Sequence, residues 1–320
     1  MRTRKLPEKG AYFKIIMLSL VYKSYNYYPS YVECGLELLL GFLFFSTSFV
    51  AHHYWIRKLN FKWYGGKLLR SQMLEIAVLL VSTTFALLAC LVAVTVISEH
   101  RKSVMYDQHP IIRHFMSFGA PYFIYDILAM FTAYQQKYSE NNINTHDKQV
   151  PNIHDLKIVN SQRNETIEVW QQFVRYKKLI LIHHLLIPLL GIPVSYGERY
   201  KIGHFLFAVG FLMEASTPFV SFRRILEILG KKGSLMYGFN GCVMALTFFW
   251  CRVYNTLYIY QLFAQEKGQT IRETVIKSVP WVCSCCMIGI LVPQLYWWYL
   301  MLKGCLKFVQ RWLSTFKKNR

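Results

Sequence analysis

The sequence predicts an all-α integral membrane protein with about seven transmembrane helices. Three observations carry that expectation. Hydrophobic residues make up 54% of the 320 and charged ones only 17%, too little charge to cover a soluble domain of this length. The apolar residues are gathered into runs of spanning length, and mean hydropathy is +0.23. Aromatic residues reach 17%, with many Tyr and Trp at run ends, where such rings favour the headgroup zone. The net charge of +20 lies in short segments flanking the runs, with no basic domain to carry it. That pattern speaks for anionic headgroups and against nucleic acid.

The runs fall at 34–52, 72–98, 114–134, 179–196, 202–222, 235–263 and 279–302. Before the first lies a basic, aromatic segment, 1–33, with Tyr25, Tyr27 and Tyr28 and no core resembling a cleavable signal peptide. Segment 34–69 supplies the first span and a basic loop, 70–305 a six-helix bundle, and 306–320 a basic tail. Within the bundle the one long connection, 135–178, has in its first half the polar stretch Glu140-Asn141-Asn142-Ile143-Asn144, expected to be a mobile part of the loop. Ile167, Trp170, Phe173 and Val174 then recur at helical spacing before Lys177-Lys178, as in an interfacial helix. The short Tyr196-Gly197-Glu198-Arg199 turn predicts that runs four and five are antiparallel neighbours. Pro188, Pro193, Pro218 and Pro293 are expected to interrupt their helices and free carbonyls toward a cavity.

Lys and Arg number 22 in the segments after runs one, three, five and seven, against 14 on the other side. The positive-inside rule then places the C-terminus in the cytosol and the N-terminus in the lumen. Lys317 and Lys318, four and three places from the C-terminus, resemble the dilysine signal that returns membrane proteins to the endoplasmic reticulum. The eight cysteines sit in or beside the runs, and Cys283-x-Cys285-Cys286 has no paired Cys or His to complete a site, so no metal is expected.

Ionisable groups inside a bilayer cost about 2.5–3.5 kcal/mol each on insertion scales and therefore face a partner or a cavity. Glu37, Glu75 and His204 lie near run ends. Asp126, His183, His184 and Glu214 lie deeper, on three spans and at one depth, roughly 6–12 Å inside the face expected to be cytosolic. Adjacent histidines are separated by about 100° of helix rotation, so only one of the pair points squarely into a cavity. The chemistry fits a general base oriented by a carboxylate, and equally a hydrogen-bonded network tying helices together. Arg252, mid-span in the sixth run, needs an acid, Glu214 or Asp126. Tyr125 and Thr217 flank these groups as candidate cavity residues.

The segments Pro121-Tyr122-Phe123-Ile124-Tyr125-Asp126-Ile127, His183-His184, Glu214-Ala215-Ser216-Thr217-Pro218-Phe219, Cys251-Arg252-Val253 and Pro293-Gln294-Leu295-Tyr296-Trp297 resemble the TLC-domain membrane proteins. That family includes the ceramide synthases, and the nearest likeness is to its small branch once named family with sequence similarity 57. The resemblance implies a helix bundle around a cavity that admits a lipid chain. It also implies transfer of a fatty acyl group from acyl-CoA to the amine of a sphingoid base, through a histidine pair matching His183-His184. The implied partners are membrane lipids (sphingoid base and ceramide) and acyl-CoA, without a bound cofactor, and an oligomer is compatible. Two aspartates of the ceramide synthase pattern fall here on Phe207 and Gly210 and are absent. Asp126 and Glu214 are the acids left to serve. The other class is a lipid-binding, transfer or regulatory protein without turnover. A channel or transporter is weaker, since no repeat or charged permeation path is visible.

Overall fold

The computed structural model describes residues 31–64, 66–99, 103–104, 106–146, 158–196, 203–279 and 281–318, and among them it is all-helical. Ten α-helices follow in order: α1 (Tyr31–Tyr64), α2 (Arg70–Ser98), α3 (Pro110–His146), α4 (Ile158–Tyr196), α5 (His204–Phe211), α6 (Thr217–Ile228), α7 (Leu235–Phe248), α8 (Asn255–Lys267), α9 (Ile271–Glu273) and α10 (Trp281–Lys318). A 3₁₀ turn, Leu212–Ser216, joins α5 to α6, and a π turn, Phe249–Tyr254, joins α7 to α8. Five stretches of the described residues are long and apolar enough to cross a membrane: Val32–Lys62, Arg70–Ser98, Pro110–Asn142, His204–Ile228 and Leu235–Lys267. The fourth and seventh runs of the sequence lie on α4 and α10, outside those five.

Helices α2 and α3 form the centre. α1 and α4 pack on α3, while α5 and α6 pack on α2. The core between them is aromatic. Phe85 of α2 stacks on Tyr122 of α3 with centroids 4.1 Å apart and planes 6° from parallel, and fully buried Phe45 of α1 meets Tyr122 edge-on at 5.3 Å. Such pairs add about 0.5–1.5 kcal/mol beyond their burial. Leucines and other large apolar side chains cover the outer faces, as lipid contact requires.

Three expectations are corrected. α3 runs on through Glu140–Asn144 to His146, so that stretch is helical. The physical reason is a long-range cap: Glu140 receives the backbone N–H of Ser71 at 3.0 Å and its hydroxyl at 2.5 Å, answering the open donors at the start of α2. The segment at 167–174 is helical, as its spacing predicts, and runs into the fourth run within α4; Phe173 and Val169 are buried, Phe173 against Phe131 and Tyr134 of α3. α4 packs along α3 and makes no comparable packing with α5, which lies against α2 and α8. A short connection fixes where two helices join, not which faces meet, and the apolar face of α5 is taken up by Val96, Val104 and Leu262. Helices also continue through Pro188, Pro193 and Pro293; only Pro218 coincides with a change of helix type.

Gly41 sets the α1–α3 crossing, because a Cβ there would run into the backbone carbonyl of Phe118. A backbone obstacle does not swing aside, and small residues allow this closeness in membrane bundles. Gly41→Ala should therefore destabilise the detergent-solubilised protein by about 1–3 kcal/mol, the usual cost of overpacking. Gly35→Ala, whose Cβ would meet nothing within 4 Å, should melt near the parent temperature in the same thermal scan.

Candidate functional site

All seven candidate residues are placed in two polar clusters. The first joins α3 to α4. Asp126 Oδ2 lies 3.1 Å from His184 Nε2, with both side chains nearly inaccessible. His184 Nδ1 is 2.7 Å from the carbonyl of Ile180, one turn back, and a carbonyl only accepts, so Nδ1 carries a hydrogen. A neutral ring in that tautomer would turn a lone pair toward the carboxylate. The two groups therefore hold one proton between Nε2 and Oδ2, which makes the contact a charge-assisted or carboxylic hydrogen bond. The rings of Phe123 and Tyr122 close on His184 at 5.5 Å and 6.2 Å. Tyr125 is buried beside Phe49, and its hydroxyl and Asp126 Oδ1 are buried without a hydrogen-bond partner.

His183 differs from its neighbour as helix rotation predicts. Its ring stands edge-on to that of His184, with centroids 5.7 Å apart and planes at 79°, and it is exposed where His184 is buried. Its charged surroundings are His184, Glu214 and Arg252. Of the pair, His184 is held at both nitrogens and His183 is the one left accessible.

The second cluster is built from two helix irregularities. Pro218 has no N–H to give the carbonyl of Glu214, which instead accepts from Thr217 N–H in the tighter 3₁₀ pattern. That winding stacks the side chains of Glu214 and Thr217 three residues apart, and Thr217 Oγ1 donates to Glu214 Oε2 at 2.7 Å. Across from it, the π turn of residues 249–254 inserts an extra residue and presents Arg252. Arg252 Nε donates to Ser216 Oγ at 2.9 Å and Nη2 to Thr217 Oγ1 at 3.1 Å, with Glu214 Oε2 3.8 Å away. The expected Arg252–Glu214 pair is thus present, with Thr217 bridging it. Next to it, Asn255 donates to the carbonyl of Val209 at 2.6 Å, tying α8 to α5.

The two clusters are linked by field rather than by hydrogen bond, since the charge of Glu214 reaches His183, His184 and Tyr122. Between α2, α3, α4 and α5 lies an apolar cavity of about 40 Å³, lined by Phe85, Phe115, Phe123, Ile187, Pro188 and Phe211. Pro188 is one helical turn beyond His184. Glu37, Glu75 and His204 take up other duties: Glu37 pairs with His114 at 2.5 Å, Glu75 with Arg224 at 2.7 Å, and His204 Nδ1 accepts from His109 N–H at 3.0 Å. Ser216 and Asn255 join the site without standing out in the sequence, because an uncharged hydrogen-bonding side chain in an apolar run is a weaker signal than a charge. Among the described residues no group of three or more His, Cys, Asp or Glu is arranged to hold a metal ion.

Residues 71–303 match the model of the TLC domain family. Similar proteins include TLC domain-containing protein 4 A of Dictyostelium discoideum, 29% identical over 143 residues, which are 43% of this chain and 53% of that protein. TLC domain-containing protein 4-A of Xenopus laevis and TLC domain-containing protein 4 of Xenopus tropicalis are each 30% identical over 141 residues, 42% of this chain and 54% of theirs. The chain thus spans about half the length of the curated relatives it matches. No solved structure matches it.

Replacing Thr217 tests the bridge. Thr217→Val keeps the volume but removes both hydrogen bonds, and should lower stability by about 0.6–1.7 kcal/mol, the range of interhelical polar contacts in membranes. Thr217→Ser, which keeps the hydroxyl, should melt close to the parent; equal melting temperatures for Val and Ser would show that the bridge contributes nothing.

Proposed function

We propose, from the premise that this chain belongs to the TLC domain family, that it is a lipid-cavity protein of the endoplasmic reticulum membrane acting in sphingolipid metabolism as a sphingoid-base N-acyltransferase. The observation that carries the reading is the asymmetry of the histidine pair: His184 locked by Asp126 and Ile180, His183 exposed within the field of Glu214 and Arg252. A base must reach substrate while a second group holds its helix in place, and this division of labour meets that need.

In the reaction, the substrate amine attacks the thioester carbonyl of a fatty acyl-CoA. A C–N bond forms, the C–S bond breaks, and CoA departs as its thiolate. His183 accepts the proton that the nitrogen sheds. The His184–Asp126 pair holds α4 so that His183 keeps its position, and Arg252 faces the oxyanion that develops as the carbonyl is attacked. The apolar cavity beside Pro188 receives methylenes of the lipid chain, and basic residues at the cytosolic helix ends meet the CoA phosphates.

One observation favours a second reading, a lipid-binding or transfer protein without turnover. Glu214 is committed to Thr217 and Arg252, and the positions of the two aspartates hold Phe207 and Gly210. Purified protein in liposomes with sphinganine and several acyl-CoAs separates the two readings. Under the enzymatic reading His183→Ala loses product by about 10²-fold or more while its melting temperature stays within a degree or two. His184→Ala instead lowers the melting temperature, because Asp126 is left buried without its partner. Full product from both single variants and from the double variant would leave only the binding reading.

The proposed orientation, N-terminus lumenal and C-terminus cytosolic, puts Asn164-Glu165-Thr166 on the cytosolic side. This acceptor sequon should therefore carry no glycan. A glycosidase-sensitive mobility shift that vanishes in Asn164→Gln would reverse the orientation.

A further inference from the structure

A buried polar group stands on α10, a helix that supplies nothing to either polar cluster. α10 turns most of its surface outward, and among its described side chains Gln294 alone is buried, 9% exposed. A helix that seats one side chain in a bundle is expected to seat an apolar one, since an amide withdrawn from water without a partner is costly. Yet Gln294 Oε1 is buried and has no hydrogen-bond partner. Such an atom in a folded protein calls for a reason, and recognition of a polar group on a bound molecule is one. Two contacts place the amide. The ring of Phe308 fills the position where a side chain of Gly238 would stand, and Trp298 meets Phe249 with centroids 4.8 Å apart. Later residues of α10 thus meet earlier ones of α7, so the two helices run antiparallel. At about 100° per residue, Gln294, Trp298 and Phe308 share one stripe of α10. Gln294 is one turn before Trp298, and in this register it comes level with Arg252 and Val253 of the π turn. The guanidinium of Arg252 holds Ser216 and Thr217, so α10 carries its buried amide to the height of the second polar cluster.

We propose that Gln294 is a binding residue of the lipid site, and that it recognises a hydroxyl on the headgroup of a long-chain amino alcohol. The side-chain amide both accepts, through Oε1, and donates, through its N–H groups. A hydroxyl also does both and is therefore its match. An ammonium offers donors only, and the cation of Arg252 already stands at this level. A carboxylate or phosphate offers acceptors only and would leave Oε1 unanswered. The identity of the lipid rests on the sphingoid-base reading above, but the role of Gln294 does not rest on turnover. A held hydroxyl fixes where the neighbouring amine stands, whether or not an acyl group is then transferred to it.

The test compares sphinganine with octadecylamine, which share chain length and amine and differ in the hydroxyls. Binding of each, labelled with tritium, is measured on the purified full chain in nanodiscs without acyl-CoA. The parent should hold sphinganine about tenfold or more tighter than octadecylamine. Gln294→Leu should bring sphinganine down to the octadecylamine level, while its lipid-free melting temperature equals or exceeds the parent's, because a buried unpartnered amide has been removed. Gln294→Met, unbranched like glutamine, is the second variant and should give the same result. Equal binding of the two lipids by the parent, or a preference that survives both substitutions, overturns the proposal. A lower lipid-free melting temperature in both variants would assign the amide to holding helices together and overturn it too. Product formed on adding acyl-CoA is scored separately: sphinganine preference without product removes the acyltransferase reading and leaves the role of Gln294 standing.

Discussion

The hydrogen bond between His184 and Asp126 is the constraint on which the arrangement of the polar groups rests. Among the described residues α4 packs along α3, and this bond ties the two helices within the span. Below it, Leu181 and Phe173 close on Ile127 and supply the apolar half of the contact. Apolar packing is weakly directional in lipid, where the surrounding chains are as apolar as the side chains. The proton held between imidazole and carboxylate fixes the rotation of α4, and that rotation decides which way His183 points. One buried pair thus sets the accessibility of the residue next to it.

The opposite wall is organised by departures from the α-helix. A regular helix through residues 212–220 would have no N–H for the carbonyl of Glu214, and the 3₁₀ turn resolves that by one shorter bond. The π turn at Arg252 makes the reverse adjustment, one residue too many instead of one too tight. The guanidinium then reaches two hydroxyls and a carboxylate and is also within 5.3 Å of the Phe248 ring centroid. Burying such a cation without these partners would cost more than the irregularities do.

Much of this was legible in the sequence, for reasons specific to each residue. Asp126, His183, His184 and Glu214 stood out because charge in an apolar run must be answered, and their common depth brought them onto one level. Arg252 demanded an acid and has Glu214. The bridging role of Thr217 was not legible, since it depends on the 3₁₀ winding that Pro218 forces, and neither was the capping of α2 by Glu140. A polar stretch such as Glu140–Asn144 reads as a mobile loop until a distant helix end supplies donors for its carboxylate. The looseness of α4 against α5 was hidden as well, because chain connectivity says nothing about which faces of two spans are complementary.

The cap of α2 by Glu140 also imposes an order on the making of the protein. Ser71 leaves the ribosome 69 residues before the acid that satisfies it. At about 5–20 residues per second, α2 waits on the order of ten seconds with its first turn unanswered except by water or headgroups. Its final seating is therefore a late event of synthesis, completed only when α3 has been made to nearly its full length.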